Sequence, residues 1–262
     1  MTTAVPTILE RIVAQKRADL DRARQALTGD VDARIEQAVA HRRDFAAALR
    51  AQSPAVISEL KKASPSKGLL APDYAPATLA PAYEQGGAAA LSVLTDGPFF
   101  QGRLEDLAVA RAAVRIPVLR KDFTVDPFHV REAAAWGADA ILLIAAILTD
   151  AELRDLRELA ESYRLTALVE VHDAEELRRA IGSGASVIGV NNRDLRTFEV
   201  RLETSLRLAD AMPAQATRVA ESGIRSAADI RALAAAGYHA FLIGEHLVTS
   251  ADPASSIRDL IR

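Results

Sequence analysis

The chain has 262 residues, 50% of them hydrophobic, and a formal charge of −3 with acids and bases intermixed. That supports one large core or two modest ones and excludes the basic stripe of a nucleic-acid binder. The absence of cysteine rules out disulfides, thiolate metal sites and a cysteine nucleophile.

Residues from about 6 to 49 read as helical. Thr7-x-x-Glu10 has the form of a capping box, Ile8, Leu9, Ile12, Val13 and Leu20 fall broadly on one face, and Gly29 is placed to stop the helix. Arg11, Lys16, Arg17, Arg22 and Arg24 on this pattern resemble a targeting segment, but the interspersed Glu10, Asp19 and Asp21 argue against a transit peptide. A cytoplasmic protein is expected. The apolar face of this appendage either covers the body of the domain or serves as a dimer contact; the first is the expected arrangement for residues 1–50.

From Ala55 onward strand and helix patterns alternate. Strands are expected at about 55–60, 89–94, 117–120, 139–144, 165–170, 186–191, 217–220 and 240–243. Helices are expected at about 76–86, 104–114, 127–136, 150–160, 173–182, 200–211, 226–236 and 253–261. Glycines at Gly86-Gly87, Gly137, Gly182, Gly184 and Gly237 fit left-handed helix stops leading into buried parallel strands. Eight such units fit a closed (β/α)8 TIM barrel with extra N-terminal helices better than an open doubly wound sheet, and residues 1–262 read as a single domain. The most hydrophobic stretch, Ala138 to Leu148, contains Asp139 and is too short to span a bilayer, so no membrane association is expected.

The ends of these strands carry the chemistry. Glu59 and Lys61, Lys121 and Phe123, Glu170, Asn191 and Arg193, and Glu221 all recur at a period of two, which places each set on one side of an extended segment. Burying so many ionisable groups for packing alone is costly, and in barrels of this kind catalytic groups sit at the carboxyl ends of the strands. Lys121 reads as a proton donor just past an apolar strand and Glu170 as the complementary base, with Glu59 and Glu221 as further carboxylates or counter-ions. After strands seven and eight, Ser222-Gly223 and Gly244-Glu245 allow backbone N–H groups to approach a phosphate. The turn-rich segment 62–70, including Ser64 and Lys67, reads as a lid. Phe99, Phe100 and Phe123 fall where aromatics could line an apolar pocket, whereas Trp136 and Phe241 fit core positions. The five histidines show no ligand spacing, so no metal is expected, and His172 reads as structural.

These motifs resemble the indole-3-glycerol phosphate synthase family. The likeness runs from Ile57 to Gly68 (ISELKKASPSKG) through Ala89–Asp96, Phe100–Gly102, Pro117–Phe123 (PVLRKDF), Ala140–Ala146, Leu168–His172 (LVEVH), Ile188–Asp194 (IGVNNRD) and Glu221–Arg225 (ESGIR) to Phe241–Glu245 (FLIGE). The resemblance implies a small phosphorylated substrate, 1-(2-carboxyphenylamino)-1-deoxyribulose 5-phosphate, cyclised with loss of carbon dioxide and water, without metal or organic cofactor. It implies Lys121 as general acid and Glu170 as the carboxylate that handles protons, with Glu59, Lys61 and Asn191 assisting. Arg193, Ser64 and Glu221 would contact substrate, Arg193 near the benzoate. Phe100, Phe123, Leu142 and Ile144 would form the ring pocket, and Ser222, Gly223, Gly244 and Glu245 would hold the phosphate, with the Glu245 side chain turned outward. A monomer or weak homo-oligomer is expected. The lack of cysteine speaks against the phosphoribosylanthranilate isomerase barrel, and the lack of clustered histidines against a metal-dependent epimerase.

Overall fold

The computed structural model describes residues 7–262, so the expected start of the helical segment at residue 6 lies outside the described residues. Eight apolar segments form strands β1 (Ala55–Leu60), β2 (Ala90–Leu94), β3 (Val118–Lys121), β4 (Ala140–Ile144), β5 (Thr166–Val171), β6 (Val187–Asn191), β7 (Thr217–Glu221) and β8 (Ala240–Ile243). Neighbours pair in parallel and β8 returns to β1, closing a (β/α)8 barrel. Strands covered by helices outside and by each other's side chains inside are buried on both faces, which is why β1, β2, β4, β6 and β8 are buried at every residue.

Alternation sorts the side chains into two sets. Ile57, Leu119, Leu142, Leu168, Val187 and Val219 fill the barrel interior, while Val56, Leu91, Ile141, Val169 and Ile188 face the surrounding helices. Asp126, Thr149, Asp173 and Ser226 cap the helices that follow β3, β4, β5 and β7 by accepting backbone N–H bonds. At the other ends Gly87, Gly137, Gly184 and Gly237 adopt φ values of 99°, 81°, 85° and 93°, the left-handed conformation that lets the chain turn directly into the next strand. Two local expectations shift. Lys121 is the last residue of β3 rather than one past it, since its backbone still pairs with Leu94. The helix expected at 200–211 begins only at Glu203, because Val200 is held in a bridge to Arg193.

The N-terminal segment forms three helices, α1 (Ile8–Ala26), α2 (Val31–Ala40) and α3 (Phe45–Ala51). Thr7 and Glu10 make both halves of the capping box, and α1 ends at Ala26, three residues before Gly29. Phe45 and Leu49 of α3 are fully buried among the interior residues at the starts of the strands, so α3 plugs that end of the barrel. Ile35 of α2 joins the outer core, and Arg34 lies 5.4 Å over the Trp136 ring, which is only partly buried.

Helix α1 reaches the opposite end. Lys16 Nζ lies 3.0 Å from Asp96, after β2, and 2.6 Å from Asp122, after β3. Although burial disfavours the ammonium, Asp122 and Asp96 outweigh it and raise the Lys16 pKa. Asp122 also takes bonds from Thr95 Oγ1 at 2.6 Å and Arg120 Nη2 at 3.1 Å. Removing one partner of a buried ion pair strands the other charge, so Lys16→Met should lower unfolding free energy by about 3 kcal/mol. An unshifted chemical-denaturation midpoint would show that the remaining partners of Asp122 suffice.

Candidate active site

The C-terminal ends of the strands enclose a cavity of about 330 Å³. Strand parity turns Glu59 and Lys61, Lys121, Glu170, Asn191 and Glu221 toward the axis, and barrel closure makes them neighbours. Lys121 Nζ lies 2.9 Å from Glu221 Oε2 and 3.4 Å from Glu170 Oε2. Lys61 Nζ lies 2.7 Å from Glu59 Oε1. The site therefore contains two lysine–carboxylate couples.

Burial disfavours the Lys121 ammonium, but Glu221, Glu170 and Glu59 overcome this and hold its pKa above the ordinary lysine range. Glu170 is held well below the usual carboxylate range: the cost of burial is outweighed by Lys121, His172 and Asn191. Glu59 is likewise lowered, because Lys61 and Lys121 outweigh burial. Glu221 goes the other way, pushed up to about 7 by burial and by the negative Glu170, with Lys121 opposing. The resting site thus favours a protonated lysine beside an ionised Glu170, while burial and Glu170 favour the neutral form of Glu221.

His172, read from sequence as structural, lies with Nε2 3.3 Å from Glu170 Oε1 and Nδ1 2.9 Å from Glu176 Oε2. Burial disfavours the imidazolium, but these two carboxylates raise its pKa to about 10. His172→Gln would remove one cation that keeps Glu170 ionised, so the acidic limb of the kcat/KM profile should move to higher pH. An unmoved limb would detach His172 from the chemistry.

One wall of the cavity is apolar. Phe100 and Phe123 stand 6.1 Å apart between ring centroids, and Leu142 and Ile144 complete the slot. Phe99 does not line it. Leu242 and Val200, not singled out from sequence, do; Leu242 shares the inward parity of Gly244 and was legible on that ground.

The opposite wall is backbone. Ser222 and Gly223 both take left-handed φ values, 67° and 82°, a conformation costly for serine and readily adopted by glycine. The turn is held by Asn192, whose Nδ2 donates to the carbonyls of Glu221 (3.0 Å) and Ser222 (3.2 Å), while its Oδ1 accepts from Ser205 Oγ at 2.8 Å. Strand parity turns Asn192 away from Asn191, so nothing in the sequence singles it out as a support of this turn. A Cβ at Gly244 would overlap the Glu59 carboxylate and displace it, and the short helix Glu245–Val248 starts directly afterward. The Glu245 carboxylate turns toward segment 62–70, 3.9 Å from Lys67 Nζ.

Two expected contacts are placed differently. Ser64 belongs to the ribbon formed by Ala63–Ser64 and Gly68–Leu69 and does not line the cavity, because the ribbon carries it away from the strand end. Glu221 is 1% exposed and lies beneath Lys121 rather than on the cavity surface, in space left by Gly189, where a Cβ would overlap its carboxylate. Arg193 does line the cavity, with Nη1 3.3 Å from the Phe198 carbonyl. No group of three or more potential metal-ligating side chains occurs among the described residues.

Fold and site together define a (β/α)8-barrel enzyme built for proton transfer. Its architecture is shared with a thiamine phosphate pyrophosphorylase from Pyrococcus furiosus (TM-score 0.59, 17% identity, 79% of this chain and 93% of that one) and with KGPDC from Streptococcus mutans (TM-score 0.60, 14% identity, 80% and 96%), likenesses that concern the fold alone. Residues 9–260 match the family model described as indole-3-glycerol phosphate synthase. Relatives bearing that name include one from Mycolicibacterium vanbaalenii, 52% identical over 97% of this chain and 94% of its own, and one from Koribacter versatilis, 57% identical over 84% and 85%. The chain belongs to the indole-3-glycerol phosphate synthase family, decarboxylating lyases of tryptophan biosynthesis.

Proposed function

We propose that Lys121 is the general acid and Glu170 the principal proton-transfer carboxylate of the reaction that makes indole-3-glycerol phosphate from 1-(2-carboxyphenylamino)-1-deoxyribulose 5-phosphate. The observation that carries this reading is the contact of one lysine with two buried carboxylates, Glu170 at 3.4 Å and Glu221 at 2.9 Å. Lys121 protonates the ribulose carbonyl as the carboxyl-bearing ring carbon attacks it, forming the carbon–carbon bond. Loss of carbon dioxide restores the ring electrons, and expulsion of the new hydroxyl as water with loss of a proton completes the indole. Glu170 takes and returns protons in the second half, with Lys61 and Glu59 assisting and Asn191 orienting the intermediate. Phe100, Phe123, Leu142 and Ile144 hold the ring, Arg193 faces its carboxylate, and the backbone at Ser222, Gly223, Gly244 and Glu245 receives the phosphate. The fluorescence of the indole product, followed from this substrate with purified protein, tests the reaction; no product at enzyme concentrations well above catalytic levels would refute it.

Residues 62–70 act as a lid in this scheme, the Lys67–Glu245 pair lying at its contact with the phosphate end. Bound product should therefore slow amide exchange in 62–70 more than in α1. Equal exchange with and without product would leave the segment an ordinary loop. We further propose one folding unit over the whole chain, residing in the cytoplasm as a monomer or weak homo-oligomer. No described helix is long and apolar enough to cross a membrane.

A further inference from the structure

A second cavity, of about 280 Å³, opens at the end of the barrel opposite the catalytic site, where β5 and β6 begin. Four arginines line it: Arg42 and Arg43 from the α2–α3 connection, Arg157 from the helix Asp150–Ser162, and Arg164 just before β5. The acids nearby are already committed. Asp44 caps α3 through the Ala47 N–H at 2.8 Å, and Glu161 pairs with Arg157 at 2.6 Å. Asp139 accepts from the Arg43 and Val118 N–H groups and from Arg111.

Two of the arginines are spoken for as well. Arg43 donates to the carbonyls of Ile116 and Arg111, and Arg157 to Ser183, Glu158 and Glu161. Arg42 is not: one nitrogen reaches the Ala138 carbonyl, while Nε and Nη2 are buried without a partner among the described residues. Burial, together with Arg111 and Arg164, depresses its pKa to about 10 despite Asp139, the mark of an undercompensated cation. Arg164 supplies an exposed guanidinium from a backbone at φ 57°, a conformation that favours glycine over a long side chain. Thr166 and Ser186 add hydroxyls to the same wall.

Four arginines at one cavity, with the neighbouring acids already committed, call for a ligand that brings negative charge, and planar guanidinium groups suit the geometry of a phosphate. The cavity, about 280 Å³, has room for an oxyanion with its hydrating water. We propose that this cavity binds the phosphate dianion between Arg42 and Arg164, clamping the N-terminal extension to the base of the barrel.

The test uses the full chain and inorganic phosphate at constant ionic strength. A ligand that binds only the folded state raises Tm saturably. Wild type should show a larger rise than Arg42→Gln or Arg164→Gln, while phosphate inhibits turnover of all three with the same competitive constant, because that constant reports the catalytic end. Arg164 is exposed, so its variant should fold even if Arg42→Gln does not. The proposal is overturned if Arg164→Gln keeps the full wild-type rise in Tm, or if its inhibition constant weakens in parallel with the lost rise.

Discussion

Lys121→Ala should lower kcat by about 10²- to 10⁴-fold, the usual cost of removing a positioned general acid. Phosphate-ligand affinity should change far less, because Lys121 sits among Glu170, Glu221 and Glu59 and not at the backbone turn of Ser222–Gly223. The variant also leaves three buried carboxylates without their shared cation, so at least one should take up a proton. Single-turnover rates and product affinity, measured together, separate the two effects. A near-normal kcat would remove Lys121 from the acid's role and point to Lys61, the other lysine of the site, paired with Glu59 at 2.7 Å.

Glu170→Gln is the sharper experiment, since it keeps volume and hydrogen-bonding reach but cannot exchange a proton at neutral pH. Proton transfer by Glu170 requires a fall in kcat of similar size, about 10²- to 10⁴-fold, with a modest change in KM. Stability must be measured alongside, because Glu170 touches both Lys121 and His172 and loss of a buried partner can cost about 3–5 kcal/mol. The sign of the pH dependence distinguishes the terms. The folded-state pKa of Glu170 is depressed, so its contribution to stability is present above the ordinary carboxylate pKa and is lost as pH falls toward the folded value. Wild type and variant should therefore converge in stability at low pH, while their difference in kcat persists at neutral pH. A variant that melts lower yet turns over normally would make Glu170 a counter-ion and Glu59 the better proton-transfer carboxylate.

Much of the site was legible before folding because strand chemistry is local. A period of two places Glu59 with Lys61 and Lys121 with Phe123 whatever the rest of the chain does. The glycines at 87, 137, 184 and 237 mark helix ends for an equally local reason, the left-handed conformation each adopts. Less was legible where a residue works through a distant partner. Strand parity sets Asn192 apart from Asn191, but nothing local shows that its amide holds the Ser222 turn, and Ser64, expected at the substrate, lies in the ribbon of residues 63–69 and does not line the cavity.

Residue order alone determined the eight strand–helix units, their inward and outward faces and the polar residues at their ends, since each depends on sterics and patterning within about ten residues. Tertiary structure decided which charges meet. Lys121 reaches Glu221 across 100 positions, Lys16 of α1 binds Asp96 and Asp122 at the catalytic end, and Arg42 comes to lie near Arg164 at the other. These meetings depend on barrel closure, which joins β8 to β1, and on how the extension packs across it. The electrostatics followed from the same closure: two glutamates at the ends of β5 and β7, with β6 between them, are shifted in opposite directions by one lysine, one histidine and their own mutual repulsion.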